Sequence, residues 1–136
     1  MSTGKPGSRP WSKWMTLMLL LATGLFVIKQ LPSGYSSDLD RIGQGRNTVV
    51  LIHDKMSANT LHVMEAVDAI RGDYADDIEF LVADVNTPES AAFIRQQNVN
   101  GATILMFAAD GRRLQVLHGV LSIEALRMAI KEAFQL

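Results

Sequence analysis

Two histidines and a methionine are the side chains of this sequence best suited to bind a metal ion. His53 ends a strongly apolar run, Met56 follows it closely, and His118 stands directly before Gly119. Imidazole nitrogens and a thioether sulfur are ligands that suit copper. Their spacing matches no metal-binding motif, so the leading expectation is a chain without a bound metal or other cofactor. A copper site formed by His53, Met56 and His118 remains the alternative.

Two hydroxyl side chains, Ser57 and Thr60, stand at the start of a predicted helix. A hydroxyl nucleophile needs an adjacent base that a third group orients. His62 lies two residues beyond Thr60 and should project from another face of the helix. Because serine is favoured at the residue that precedes a helix, Ser57 is predicted to cap the helix rather than to catalyse a reaction.

The composition excludes several classes of function. The chain has no cysteine, so it cannot by itself form a disulfide, a thiolate metal site or a thiol intermediate. The net charge is −1, yet every charged residue up to Gln30 is basic and the rest of the chain has an excess of acids. Since phosphate binding needs a basic surface, we expect no nucleic-acid partner for the folded part.

The N-terminal segment is apolar and is preceded by basic residues. Residues 1–13 contain Lys5, Arg9 and Lys13 and are predicted to form a cytoplasmic basic tail. Residues 14–31, about 27 Å long as a helix, are predicted to be a transmembrane anchor in the lipid bilayer. The basic tail keeps the N-terminus inside, so the C-terminal domain is expected in the periplasm or outside, held at the inner membrane by a single span.

A cleaved signal peptide is the alternative for this segment. The uncharged run from Met15 to Ile28 is about as long as the apolar stretch of a signal peptide, but no Ala-x-Ala pattern follows it. The missing cleavage pattern favours a retained anchor. Residues 32–46 are rich in Gly, Ser and Asp, and we interpret them as a linker in which 38–42 can form one helical turn.

Apolar strand-like runs alternate with helical patterns from residue 47 onward and predict one α/β domain over 47–136. Strands are predicted at 48–52, 78–85, 103–108 and 114–117, and helices at 57–71, 88–97 and 122–134. The order β-α-β-α-β-β-α gives a mixed four-stranded sheet, because a right-handed crossover makes strands parallel and an Asp-Gly turn makes a hairpin. In the first of these helices, the residues predicted to face the core are Leu61, Met64, Val67 and Ile70, with Gly72 at its end.

Four short phrases, taken in order, resemble the thioredoxin family. They are Val-Ala-Asp-Val-Asn at 82–86, Val-Asn-Gly at 99–101, Asp-Gly at 110–111, and the stretch 118–126 that leads into the last helix. No one phrase is specific, but their joint order and spacing across 47–136 are. The resemblance implies a thioredoxin-like fold for the whole folded part.

The resemblance also implies where redox chemistry would take place, and the required residues are missing there. The family's Cys-x-x-Cys corresponds to Ser57, Ala58, Asn59 and Thr60, and Met56 replaces the preceding tryptophan. The family's buried acid falls at Leu51 and its cis-proline at Thr103. Disulfide exchange is therefore excluded, no enzymatic activity is expected, and the bond before Thr103 is predicted to be trans.

A thioredoxin fold without thiols keeps the groove in which family members bind an extended peptide. The predicted function is a redox-inactive, membrane-anchored binding module that acts as assembly factor or accessory subunit of a membrane or periplasmic protein complex. The predicted groove residues are Met56, Ser57, Asn59, Thr60, Ala102, Thr103 and His118. The alternative is a periplasmic copper carrier or a small enzyme that uses His53, Met56 and His118.

Overall fold

The computed structural model describes residues 11–30 and 34–136, which belong to two compact units, Met1–Gly34 and Tyr35–Leu136. In the first unit, helix α1 extends from Trp11 to Gln30. Within the described ranges, no helix combines the length and apolar character that crossing a membrane requires. Most of the predicted anchor 14–31 coincides with helix α1, and its last residue, like residues 1–10 of the tail, lies outside the described residues.

The second unit is built on a four-stranded sheet of order β2-β1-β3-β4. Its strands are β1 (Asn47–His53), β2 (Ile78–Asp84), β3 (Thr103–Phe107) and β4 (Arg113–His118). Strand β1 is parallel to β2 and antiparallel to β3, and β3 is antiparallel to β4. Three helices accompany the sheet: α2 (Ala58–Ile70), α3 (Pro88–Gln97) and α4 (Ile123–Phe134). The predicted element order and the mixed sheet are thus confirmed.

Two apolar cores lie on opposite faces of this sheet, because successive side chains of a strand point to opposite sides. Val49 and Leu51 of β1 pack in one core with helices α2 and α4. Val50 and Ile52 pack in the other, together with Phe93 of α3. Strand β1 is buried from its second residue to its last, as its continuous apolar run predicts.

Helix α2 buries a different stripe from the predicted one. Its buried residues are Thr60, Val63, Ala66, Val67 and Ile70. Leu61 is exposed and Met64 is half-buried, so that part of the prediction is wrong. The small side chains of Thr60 and Ala66 occupy the buried face in place of larger ones. Gly72 does not end the helical segment either, because a 3-10 helix, Arg71–Tyr74, continues it and buries Tyr74.

Residues 35–46, which the sequence suggests to be a linker, pack on the second unit. The Val82 N–H donates to the Ser36 carbonyl at 3.0 Å, and the Gly45 N–H donates to the Ala109 carbonyl at 3.0 Å. The 3-10 helix Leu39–Arg41 is the helical turn expected here. Leu39 and Ile42 contact the core on the α3 side, which explains why this polar-looking segment is held.

Three local predictions about turns and helix ends are confirmed. Pro88 stands in the first turn of α3. Gly111 has a φ of +86° in the turn that joins β3 to β4. The Ser122 side chain accepts a hydrogen bond from the Ala125 N–H at 3.1 Å, which caps α4.

Candidate functional site

The residues predicted to form a site meet at one edge of the sheet, which we call the top edge. Strand β1 ends there at His53, and β3 begins there at Thr103, which pairs with His118 at the end of β4. Helix α2 follows β1 and helix α4 follows β4, so both helices begin at the top edge. The topology therefore gathers the sequence-predicted groove residues around one end of the domain.

Thr103 is fully buried at the start of β3. Its hydroxyl donates to the Asn100 carbonyl at 2.7 Å and lies 3.2 Å from Nδ1 of His118. Because a hydroxyl has a single proton, the contact with His118 is a hydrogen bond only when Nδ1 carries the proton. The Ala102–Thr103 bond is trans, as predicted. Thr103 thus fastens the loop before β3 to the end of β4.

The turn before α2 contains residues that the sequence resemblance aligns with the family's Cys-x-x-Cys. Ser57 stands at the N-cap of α2, but its side chain makes no capping hydrogen bond, so the capping prediction holds for position only. The Thr60 hydroxyl lies 2.6 Å from the Asp54 carbonyl oxygen and 2.8 Å from the Ser57 carbonyl oxygen. The Asp54 carboxylate accepts from the Met56 N–H at 2.9 Å. The hydroxyl of Thr60 is therefore buried against backbone carbonyls and is not presented as a nucleophile.

His53 is 8 % exposed, and its Nδ1 is buried without a hydrogen-bond partner in the described part of the chain. Strand alternation puts His53 on the face of Leu51 and His118 on the face of Val116, which lie in opposite cores. Met56, the third possible copper ligand, is 92 % exposed. The described residues also contain no group of three or more His, Cys, Asp or Glu able to hold a metal ion.

The carboxylate of Asp84, at the top edge, already has hydrogen-bond and ion-pair partners. Asp84 ends β2 opposite His53, and its Oδ1 accepts from the Asn86 backbone and side-chain nitrogens at 2.9 Å each. Its Oδ2 lies 3.1 Å from the Lys55 ammonium. These hydrogen bonds, first those from Asn86 and then that from Lys55, lower the pKa of Asp84 to about 2. The group stays ionised at neutral pH and is unsuited to proton transfer there.

Large apolar side chains are exposed around the top edge. Met56 precedes α2 and Leu61 lies in its first turn, while Val120 and Ile123 flank the start of α4. Of these, Met56 is 92 % and Val120 is 57 % exposed. Large apolar side chains exposed near the same end of a domain are candidates for contact with another molecule. Sequence reasoning had selected Met56 but not the other three.

The domain has a thioredoxin-like fold, as comparison with solved structures shows. One similar chain comes from a structure concerning the thiol resolving mechanism in yeast mitochondrial 1-Cys peroxiredoxin, with a TM-score of 0.62, 19% identity and coverage of 73% of this chain and 95% of that one. Another is oxidized mitochondrial thioredoxin 3 from Saccharomyces cerevisiae, with a TM-score of 0.59, 20% identity and coverage of 68% and 84%. No protein-family model and no curated protein matches the sequence.

This likeness establishes the α/β fold with its mixed four-stranded sheet, and at such low identity it establishes the fold alone. The cysteines on which thiol chemistry depends are absent from this chain.

A concave surface that sequence reasoning missed lies on the α3 side of the domain. It has a volume of about 650 Å³ and is bounded by residues 37–42, helix α3 and Gly111 of the β3–β4 turn. Its apolar lining includes Leu39, Ile42 and Phe93. The available signal was the pair Leu39 and Ile42, two apolar side chains in an otherwise polar segment.

Proposed function

We propose that this chain is a redox-inactive, thioredoxin-like binding module that holds a segment of a partner protein at the top edge. The exposed apolar group of Met56, Leu61, Val120 and Ile123 is the observation that carries the proposal. Removing apolar surface from water contributes about 25 cal/mol per Å² to the free energy of binding. A partner's apolar side chains that cover this group would therefore stabilise the complex. The buried or engaged state of Thr60, Thr103 and Asp84 fits binding better than catalysis.

The role we propose is that of an assembly factor or accessory subunit of a membrane or periplasmic complex. Support comes from helix α1, whose large apolar side chains with described positions are exposed: Trp11, Trp14, Met15, Leu17, Met18, Leu19, Leu20 and Leu21. A helix that is apolar on all sides needs apolar surroundings. We propose that these surroundings are the inner membrane or a membrane-bound partner, with the basic tail inside and the domain on the periplasmic side.

The proposal is tested by placing a charge on the apolar group of the top edge. Met56→Asp and Val120→Asp should leave the fold intact, because both side chains are largely exposed. Each should abolish co-purification of the partner that the intact wild-type protein retains in mild detergent. Met128→Asp is the matched control, since Met128 is 72 % exposed further along α4 and should keep the partner. Equal retention by all three variants would contradict the proposal.

The copper carrier is the second candidate, and the unpaired Nδ1 of His53 is the observation that favours it. His53 and His118 lie on opposite faces of the sheet, which does not favour a copper carrier, because a shared metal needs both imidazoles on one side. Metal analysis of the purified wild-type protein and of His53→Gln separates the two functions. Nearly stoichiometric copper in the wild type alone would support the carrier.

A further inference from the structure

The groove on the α3 side has the size and lining of a binding site. Its volume of about 650 Å³ lies within the range typical of ligand pockets. Leu39, Ile42, Phe93 and Phe107 supply its apolar lining. Residues 37–42 form one wall and α3 forms the other, and hydrogen bonds of the neighbouring segment to the body of the domain hold the first wall in place.

The charged residues that line the groove are all acidic. They are Asp38, Asp40 and Glu89, and no Lys or Arg joins them. Asp38 accepts the Asp40 N–H at 3.2 Å, which uses one of its oxygens. Within residues 34–136, none of the three carboxylates forms an ion pair, whereas Glu79 nearby pairs with Arg41 at 2.7 Å. The groove thus offers unpaired negative charge beside apolar surface, which complements a basic and apolar ligand.

We propose that this groove binds an apolar peptide segment that carries arginine or lysine, supplied by a partner protein. The apolar side chains cover Ile42 and Phe93, and the basic side chain pairs with Asp40 or Glu89. This second surface is formed by residues other than those of the top edge, so the proposal does not depend on the function proposed there.

Binding of short peptides to the full-length protein in detergent micelles tests the proposal. An array with constant apolar content and a net charge graded from negative to positive should bind increasingly well as positive charge rises. Glu89→Gln should weaken the binding of the basic peptides about fivefold by removing one unpaired carboxylate. Ala92→Trp should weaken it at least about tenfold, because Ala92 is an exposed residue of the groove wall and indole would fill the opening.

Arg95→Trp is the matched control, since Arg95 is exposed on the same helix but does not line the groove. It should bind the basic peptides as the wild type does, and equal thermal unfolding of both tryptophan variants excludes a folding defect. Binding that is independent of peptide charge, or unchanged in Ala92→Trp, would overturn the proposal. The proposal would also be overturned if the wild type formed a dimer that Ala92→Trp dissociates and no peptide bound to either protein. The occupant of the groove would then be a second copy of this chain. Met56→Asp should not alter this binding, which keeps the outcome separate from that at the top edge.

Discussion

At the scale of single residues, Thr103 has a structural role at the start of β3. Thr103→Arg cannot serve to block the top-edge groove, because the Thr103 side chain is fully buried and a guanidinium there would disrupt the fold. Thr103→Val is the informative change, because it keeps the shape and leaves the Asn100 carbonyl and the His118 Nδ1 without their partner. We expect the free energy of unfolding, measured in urea, to fall by about 1–3 kcal/mol. Thr103→Ser retains the hydroxyl, so its free energy of unfolding should fall by clearly less than that of Thr103→Val.

Asp84 gives the domain a predictable response to acid. Its pKa in the folded protein is lowered to about 2, so its ionised form stabilises the fold. That contribution is complete above its ordinary pKa of 3.8 and is lost as the pH falls from there towards about 2. Asp84→Asn should therefore make the stability, followed by thermal unfolding, less dependent on pH in this window. An unchanged pH profile would show that the hydrogen bonds from Asn86 and Lys55 do not persist in solution.

At the scale of elements, a contact between two glycines joins the segment before β1 to the β3–β4 turn. Gly43 has a φ of +82°, and a Cβ there would lie 3.2 Å from the Gly111 Cα and 3.3 Å from the Asp110 carbonyl oxygen. Gly45 has a φ of +95° with nothing within 4 Å of such a Cβ. Both alanine variants carry backbone strain of about 1 kcal/mol, but only Gly43→Ala adds a clash with backbone. Gly43→Ala should thus lower the melting temperature more than Gly45→Ala. Equal shifts would mean that the segment around Gly43 moves away from the β3–β4 turn without a cost in stability.

The strands and the hairpin could be predicted from sequence because their signals are local. A continuous apolar run indicated β1, and Asp110-Gly111 indicated the turn. The buried face of α2 could not be predicted, because packing against the sheet selected Thr60 and Ala66 over Leu61. The groove on the α3 side was missed for a similar reason, since the two apolar residues that pack on that side, Leu39 and Ile42, stand in a segment otherwise rich in polar residues and glycine.

At the scale of the whole molecule, the second unit should fold without the first. A chain of residues 34–136 keeps the hydrogen bond from Tyr35 to Asp68, at 2.7 Å, and the contacts of Leu39 and Ile42 with the core. A chain of residues 47–136 loses them and leaves apolar core surface in water, which costs about 25 cal/mol per Å². We expect cooperative urea unfolding for the longer chain and a markedly lower midpoint, or aggregation, for the shorter one. Equal midpoints would show that residues 35–46 contribute little to the fold.

The orientation of the full chain at a membrane should be set by the charges around the apolar segment. Lys5, Arg9 and Lys13 precede the segment, whereas Lys29 is the basic residue at its far end. Because positive charge is retained on the cytoplasmic side, a reporter that is active only outside the cytoplasm should work when it is fused after Leu136.

Replacing Lys5, Arg9 and Lys13 with glutamine should reduce that reporter's activity, since the charge difference that sets the orientation would be removed. Replacement of Lys29 alone should leave it unchanged. Activity of a cytoplasm-only reporter after Leu136 would contradict the orientation. Recovery of the wild-type chain in the soluble fraction would contradict the attachment itself, and a mature chain that begins after residue 31 would identify the segment as a cleaved signal peptide.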